Sequence, residues 1–153
     1  MPQLVKKVRS DFFDKLNKIH LENYCKVSAI EANTLLEMAM RGVLPAVARY
    51  SGDLAKGMAH KQEAQFSDLC RIEEYLIQEL GIQGGQLLDV CQSLSQALEN
   101  APAADSGIDA ARYYRSEIVT RTQKAGELIG QLESLVDAKA WPYPTYADIL
   151  FSV

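Results

Sequence analysis

The residues able to perform acid–base or metal chemistry are few in this chain and widely separated. There are two histidines, His20 and His60, and neither has a neighbour in sequence that specifically supplies the acid or nucleophile that a catalytic histidine needs. His60 and Glu63 are spaced for one face of a helix. Dimetal helical bundles, however, use Glu-x-x-His on two helices, and that motif does not occur here. The sequence therefore predicts no catalytic residue and no metal ligand.

The three cysteines, Cys25, Cys70 and Cys91, also predict structure and not reactivity. They are odd in number, far apart and placed within helical patterns, which is typical of buried free thiols in a reducing compartment. No basic residue lies at a spacing that would activate one of them as a thiolate. The segment Gly81–Gly85 lacks the lysine and the Ser/Thr of a phosphate-binding loop, so it predicts a turn and no cofactor site.

The carboxylates divide into two groups by their place in the pattern. Glu73 and Glu74 lie among polar helical positions and are interpreted as part of a solvated face. Glu31 and Glu37 also lie among polar positions, where a solvated face is the more common use, but Glu31 is close to the apolar stripe and could be paired in the core.

Composition and charge exclude several classes of protein. The 153 residues suffice for one domain with a core, and 48% hydrophobic with 24% charged residues is typical of a globular chain. The net charge is −4, and the basic cluster at residues 6–9 is short and has no interleaved aromatic residues, so nucleic acid is not an expected partner. No apolar run approaches the ~20 residues of a membrane span, and no secretory signal is visible. We expect a cytoplasmic protein without a membrane partner.

The element that organises the chain is a long amphipathic segment from Leu21 to Met58. Its apolar residues recur at helical spacing: Val27, Ile30, Leu35, Met38, Ala39, Ala46, Val47, Tyr50 and Leu54. Pro45 lies within it and predicts a kink or a break, because proline removes a backbone donor and clashes with the preceding turn. The alternative is two helices that meet at Leu44–Pro45.

The remaining segments predict further helices and no strand. The predicted helices are Leu4–Lys18, Lys61–Leu80, Gln86–Glu99 and Ile108–Asp137, with a stop at Gly81–Gly85 and a loop over Asn100–Gly107. Gly126 and Gly130, four residues apart, are interpreted as marking close helix packing. The predicted fold is all-α: a single helical domain over residues 1–153, arranged as an antiparallel helical bundle with a long central helix kinked near Pro45 and an extended Trp/Pro-rich C-terminal tail.

The tail contains the only tryptophan and two prolines, which force an extended path. Trp141, Tyr143 and Tyr146 could stack on a ligand, but a hydrophobic latch across the helices is the favoured interpretation. The residues proposed as structural or interface residues are Pro45, Tyr50, Trp141, Pro142, Pro144, Tyr146, Leu150 and Phe151.

Three blocks of this sequence resemble the C-terminal helical region of the type III glutamine synthetases. The first, Glu22–Ala39, has a Tyr and a Lys ahead of an Ile-Glu-Ala helix. The second, Val43–Tyr50, contains Leu-Pro-Ala and ends in Tyr. The third, Leu132–Phe151, closes with Trp-Pro-x-Pro-x-Tyr-x-x-x-Leu-Phe. The resemblance is clear over residues 19–50 and 110–151, and it is poor over the first eighteen residues.

The resemblance implies a role in a larger enzyme. Whole proteins of this family join ammonia to glutamate at the expense of ATP, with Mg²⁺ or Mn²⁺, in ring assemblies. Their catalytic motifs lie in an upstream region with β-structure and have no counterpart here, so the resemblance transfers no catalytic, cofactor-binding or metal residue. It implies ATP and metal for the parent enzyme only. The expected partners of this chain are that upstream catalytic region or other subunits in a homo-oligomer.

The leading hypothesis is therefore a structural and assembly domain of such an enzyme, without activity alone. Two alternatives remain open: a stand-alone helical module that binds another protein, and a metal-dependent bundle enzyme.

Overall fold

The computed structural model describes residues 2–144, which are helices joined by short turns, with no strand among them. The all-α prediction is confirmed for this part of the chain. The helices are α1, Pro2–Met38; α2, Leu44–Glu63; α3, Arg71–Glu99; α4, Ile108–Tyr113; and α5, Thr120–Leu135. A first π-helical segment, Ala39–Val43, joins α1 to α2, and a second, Tyr114–Val119, joins α4 to α5. A 3₁₀ turn, Ser67–Leu69, precedes α3.

The backbone stays helical from α1 through the first π-helical segment into α2. Val43 and Leu44 both have right-handed helical dihedral angles, and Pro45 lies in the first turn of α2. No turn therefore separates two helices at Leu44–Pro45. The wider π-helical turn ends at Val43, one residue before Leu44–Pro45. Pro45 has no backbone N–H, so the regular helical hydrogen-bond pattern would lose a donor at this point.

The prediction of a separate first helix over residues 4–18 is wrong, because α1 continues to Met38. No glycine or proline lies between Pro2 and Gly42, so nothing in this segment strongly terminates a helix.

The predicted stop at Gly81–Gly85 is also wrong, because α3 runs through it without a break. Gly84 is buried, and a Cβ atom built there would lie 3.3 Å from Val47 Cγ1 of α2. The missing side chain thus allows α2 and α3 to approach closely. Each glycine within a helix costs about 1 kcal/mol of stability. The burial of Leu80 before the glycines and of Leu87 after them outweighs this cost.

Gly126 and Gly130 do not mark close packing, contrary to the sequence interpretation. Both are exposed, and a Cβ atom at either would meet nothing within 4 Å. The buried side of α5 is formed by larger residues, Ala125, Leu128 and Leu132.

The core consists of two clusters of buried side chains. One cluster joins the first π-helical segment, α2, α3, α5 and the chain after α5. Its buried members are Ala39, Val43, Val47, Leu80, Leu87, Cys91, Ala125, Leu128, Leu132, Val136 and Trp141. The other cluster joins α1, the end of α3, α4 and the second π-helical segment. Its buried members are Cys25, Ala32, Leu94, Ala97, Ala110, Ala111, Tyr114 and Ile118.

The prediction that Val27 and Ile30 belong to the buried stripe of the long segment is wrong. Their side chains are 53% and 65% exposed, and α1 buries Cys25, Ser28 and Ala32 instead. The small residues on the buried side let α1 lie close to its neighbours, which leaves the larger aliphatic side chains facing outwards.

The predicted helix over residues 61–80 also differs from the structure. α2 ends at Glu63, α3 begins at Arg71, and Gln65 between them has a positive φ of 68°. Phe66 and Leu69 in this turn, and Ile72 at the start of α3, are exposed, although they are apolar residues of the predicted helix. The predicted loop over residues 100–107 is confirmed, since α3 ends at Glu99 and α4 begins at Ile108.

Candidate interaction surfaces

The chain after α5 turns back and packs against the first π-helical segment, which joins α1 to α2. The backbone N–H groups of Ala140 and Trp141 both donate to the carbonyl oxygen of Asp137, at 2.9 and 3.0 Å. The Asp137 carboxylate accepts a further hydrogen bond, from the backbone N–H of Lys139 at 3.0 Å. This turn directs the Trp141 side chain into the core cluster that contains Ala39 and Val43, where Trp141 is only 7% exposed.

Tyr143 lies directly over Gly42, in the first π-helical segment. A Cβ atom added to Gly42 would overlap the Tyr143 hydroxyl oxygen and lie 2.8 and 2.9 Å from its ring atoms Cε2 and Cζ. The Tyr143 hydroxyl also donates a hydrogen bond of 3.4 Å to the carbonyl oxygen of Met38. Only glycine at position 42 leaves room for this ring.

The other proposed interface residues take different positions. Pro45 and Tyr50 are half-buried on α2, and Pro142 and Pro144 are exposed. Tyr50 packs at the edge of the same core cluster as Trp141. Tyr146, Leu150 and Phe151 lie outside the described residues. The structure thus brings Tyr50 and Trp141 to one cluster, with Pro45 beside it on α2.

Pro45 lines an open groove of about 490 Å³ between α2 and α3. Its lining is largely apolar and includes Met40, Leu44 and Leu88 together with the glycines of α3. The groove has the chemistry of a contact surface for an apolar side chain, and it offers no convergent polar groups to a small molecule.

Among the described residues the buried acid is Glu73, so its interpretation as part of a solvated face is wrong. Glu31 is exposed, whereas Glu73, in the first turn of α3, is 9% exposed. The Lys61 ammonium of α2 forms an ion pair with Glu73 Oε1 and donates a 3.4 Å hydrogen bond to the carbonyl oxygen of Leu69. The hydrogen bond from Lys61, with a second from its own backbone N–H, holds the pKa of Glu73 below its ordinary value. The pair ties the end of α2 to the start of α3.

Arg121 provides a polar contact between α3 and the second π-helical segment. Its Nε donates to Ser93 Oγ at 2.7 Å, and its Nη1 donates to the Glu117 carboxylate at 2.6 Å and to the Glu117 carbonyl at 2.8 Å. At the end of α4, the Tyr113 hydroxyl donates to the carbonyl oxygen of Ala97, near the end of α3, at 2.6 Å. These hydrogen bonds connect α3 to α4, the second π-helical segment and α5.

Cys25, Cys70 and Cys91 are all free and buried, which confirms the prediction of buried free thiols. Burial raises the pKa of Cys25 and of Cys91, so the thiolate form is disfavoured at both. Within residues 2–144 no three His, Cys, Asp or Glu side chains converge on a point where a metal ion could bind. In the same range, no helix is both apolar and long enough to cross a bilayer.

The surface that sequence reasoning missed is the first half of α1. Every residue from Pro2 to His20 is exposed. The periodicity of Val5, Val8 and Phe12 did predict an apolar helix face, but not that the face would lack a partner within the described chain. An isolated helix of this length is marginal in water, so this surface is suited to contact with another polypeptide.

Comparison with known proteins finds one matching family model and several curated relatives. Residues 10–62 match the family model of the glutamine synthetase C-terminal domain. That match begins nine residues earlier than the clear part of the resemblance seen in the sequence, so the first eighteen residues are not all outside the family pattern. No solved structure gives a significant match to the chain.

Curated relatives match most of the chain. Glutamine synthetase from Butyrivibrio fibrisolvens is 26% identical over 136 residues, which cover 89% of this chain. Type-3 glutamine synthetase from Dictyostelium discoideum is 24% identical over 146 residues, and glutamine synthetase from Bacteroides fragilis is 20% identical over 139 residues. The chain spans only 19% of the length of each of these relatives. These matches confirm the resemblance read from the sequence: the chain is similar to glutamine synthetases, one of them named type-3, and residues 10–62 are similar to the C-terminal domain of that family.

Proposed function

We propose that this chain acts as a structural and assembly domain of a type III glutamine synthetase and has no catalytic activity alone. The observation that carries the proposal is the match of residues 10–62 to the glutamine synthetase C-terminal domain, together with relatives that cover most of the chain. The parent enzyme would perform ATP-dependent ligation of ammonia to glutamate in the cytoplasm, and the partners of this chain would be the upstream catalytic region or other subunits of a homo-oligomer.

The chemistry of the described residues supports a non-catalytic role. Mg²⁺ and Mn²⁺ prefer several carboxylate, carbonyl or water oxygens around one point. The described acidic side chains do not gather in that way. The most buried carboxylate, Glu73, is already paired with Lys61. We therefore assign ATP and the metal to the parent enzyme and derive no step of the reaction from this chain.

The proposed architecture is one domain over residues 1–153, an antiparallel helical bundle with the long helix kinked near Pro45 and the tail as a latch. The order of residues in the two clusters supports it. Leu94 of α3 contacts the cluster of Cys25, and Leu80 contacts the cluster of Val47. α3 therefore runs opposite to the long helix. α5 runs in the same direction as the long helix, since Ile118, just before α5, lies in the cluster of Cys25, and Leu132 of α5 lies in the cluster of Val47.

Two measurements test the role. The purified chain should form no glutamine from glutamate, ammonia and ATP, and measurable turnover would refute its non-catalytic status. In a glutamine synthetase that carries this region, its deletion should lower the oligomeric state measured by light scattering. An unchanged assembly would refute the assembly role.

A stand-alone module that binds another protein is the second candidate, and the exposed apolar face of α1 favours it. The reading frame upstream discriminates the two. A catalytic glutamine synthetase region in frame supports the assembly domain, whereas a start codon at Met1 with no such region supports the module.

A further inference from the structure

We propose that the exposed face of α1 pairs with the same face of a second copy of this chain, in antiparallel order. The inference rests on the proposed assembly role and names the partner that α1 contacts. It starts from residues 2–20, every one of which is exposed although they belong to one continuous helix.

The apolar face has a regular spacing that extends beyond the free arm. Large apolar side chains that are 37–65% exposed occupy residues 5, 8, 12, 16, 19, 27 and 30, and Asn23 fills the one gap. Residues 5, 16 and 27 are eleven apart, as are residues 8, 19 and 30. An eleven-residue period of about 3.67 residues per turn keeps a stripe on one side of a nearly straight helix.

This stripe lies on the side of α1 that faces away from the core. α1 buries Cys25 and Ser28 against its neighbours, and the exposed Val27 and Ile30 each follow by two residues. Two residues correspond to about 200° around a helix. A second helix can therefore lie along the stripe without displacing α3, α4 or α5.

The spacing of the stripe reads the same in both directions, which favours a two-fold antiparallel pair. Counted from residue 5 to residue 30 with Asn23 included, the steps between successive positions are 3, 4, 4, 3, 4, 4 and 3 residues. Antiparallel pairing centred between residues 17 and 18 places Val5 against Ile30 of the partner subunit and Val8 against Val27 of the partner subunit. It places Leu16 against Ile19 of the partner subunit.

Charge supports the same alignment. Asp11, Lys15, Glu22 and Lys26 lie along one flank of the stripe. In the antiparallel pair this flank meets itself, so Asp11 lies beside Lys26 of the partner subunit. Lys15 lies beside Glu22 of the partner subunit. The Glu22–Lys26 ion pair within α1, 2.8 Å long and on the surface, already holds both groups on this flank. Each contact occurs twice by symmetry.

The area is sufficient for association. Seven side chains in each copy, each removed from water by roughly 70 Å² or more, bury about 1,000 Å² in total, which reaches the size of a specific interface. Flanking residues add to this area.

The first test is the oligomeric state of the full chain and of two matched variants, measured by analytical ultracentrifugation. Ile19→Asp adds one negative charge in the stripe, and Ser10→Asp adds the same charge on the opposite side of the exposed arm. Because the change occurs twice in each dimer, Ile19→Asp should weaken dimerisation by about 100-fold, and Ser10→Asp should leave it nearly unchanged. Neither residue contacts the core, and circular dichroism should show both variants folded. A monomeric parent chain, or equal dimerisation of the two variants, would overturn the pairing.

The second test determines the order of the helices. A Val8→Cys/Val27→Cys chain should form an intermolecular disulfide, while Val8→Cys alone should not, because antiparallel pairing separates the two copies of residue 8. Efficient crosslinking of Val8→Cys alone would overturn the antiparallel arrangement. A monomeric chain that still binds an upstream catalytic region would refute this pairing and leave the assembly domain intact. A chain that pairs through α1 but has no catalytic region upstream would refute the proposed function and leave the pairing intact.

Discussion

Replacement of Gly42 by alanine tests whether the tail is docked on the long helix. A Cβ atom at position 42 would lie 2.8 Å from Cε2 and 2.9 Å from Cζ of Tyr143, closer than carbon atoms can approach without a shift. The Tyr143 ring must therefore leave its site and lose its packing and its hydrogen bond to the Met38 carbonyl oxygen. The same substitution at Gly52, which is exposed in α2 and has no neighbour within 4 Å, is the matched control.

The magnitudes separate the two sites. Gly52→Ala should raise the free energy of unfolding by about 0.5–1 kcal/mol, because alanine loses less backbone entropy in a helix than glycine. Gly42→Ala gains the same term but overpacks the Tyr143 contact at a cost of about 1–3 kcal/mol, so it should lower the free energy of unfolding by about 1 kcal/mol. In a Tyr143→Ala background the overlap is gone, and Gly42→Ala should become neutral or stabilising.

Urea unfolding followed by circular dichroism measures these free energies, and a double-mutant cycle isolates the coupling between positions 42 and 143. Fluorescence of the single tryptophan, Trp141, reports on the tail directly, since it lies two residues before Tyr143. Equal stabilisation by Gly42→Ala and Gly52→Ala would refute the docking of Tyr143. Destabilisation by Gly42→Ala that persists without the Tyr143 ring would refute it as well.

Three further changes test the packing. Trp141→Ala should lower the free energy of unfolding by about 3 kcal/mol or more, because the indole is buried. The control Pro142→Ala, at an exposed position, should have little effect, and thermal melts of both variants measure the difference. Glu73→Gln removes the ion pair to Lys61. Because the pKa of Glu73 is lowered in the folded state, the pair stabilises the fold above the ordinary pKa of 4.5, and this stabilisation is lost as the pH falls through the lower folded value. The variant should be less stable at neutral pH and lose less stability below pH 4.5 in urea titrations, and an identical pH profile would contradict the assignment. Gly126→Ala, in open space on α5, should raise the free energy of unfolding by about 0.5–1 kcal/mol, and a loss of stability there would restore the close-packing interpretation.

Features with a local physical cause could be predicted from the sequence. The loop over residues 100–107 follows from Pro102 and Gly107, and Gly107 indeed has a positive φ of 81° before α4. The cysteines were predicted as buried thiols because each stands at an apolar helical position. The family resemblance followed from residue order alone and needed no knowledge of packing.

The sequence by itself determined that the described chain is all-α, because apolar spacing and helix propensity act over a few neighbouring residues. Only the tertiary structure decided which faces are buried. α3 passes through Gly84 because Val47 packs there, Glu73 is buried because Lys61 reaches it from α2, and Val27 and Ile30 remain outside because smaller residues bring α1 to the core. These outcomes depend on contacts between residues distant in sequence, whose energies of about 1 kcal/mol or more exceed the local preferences that point the other way.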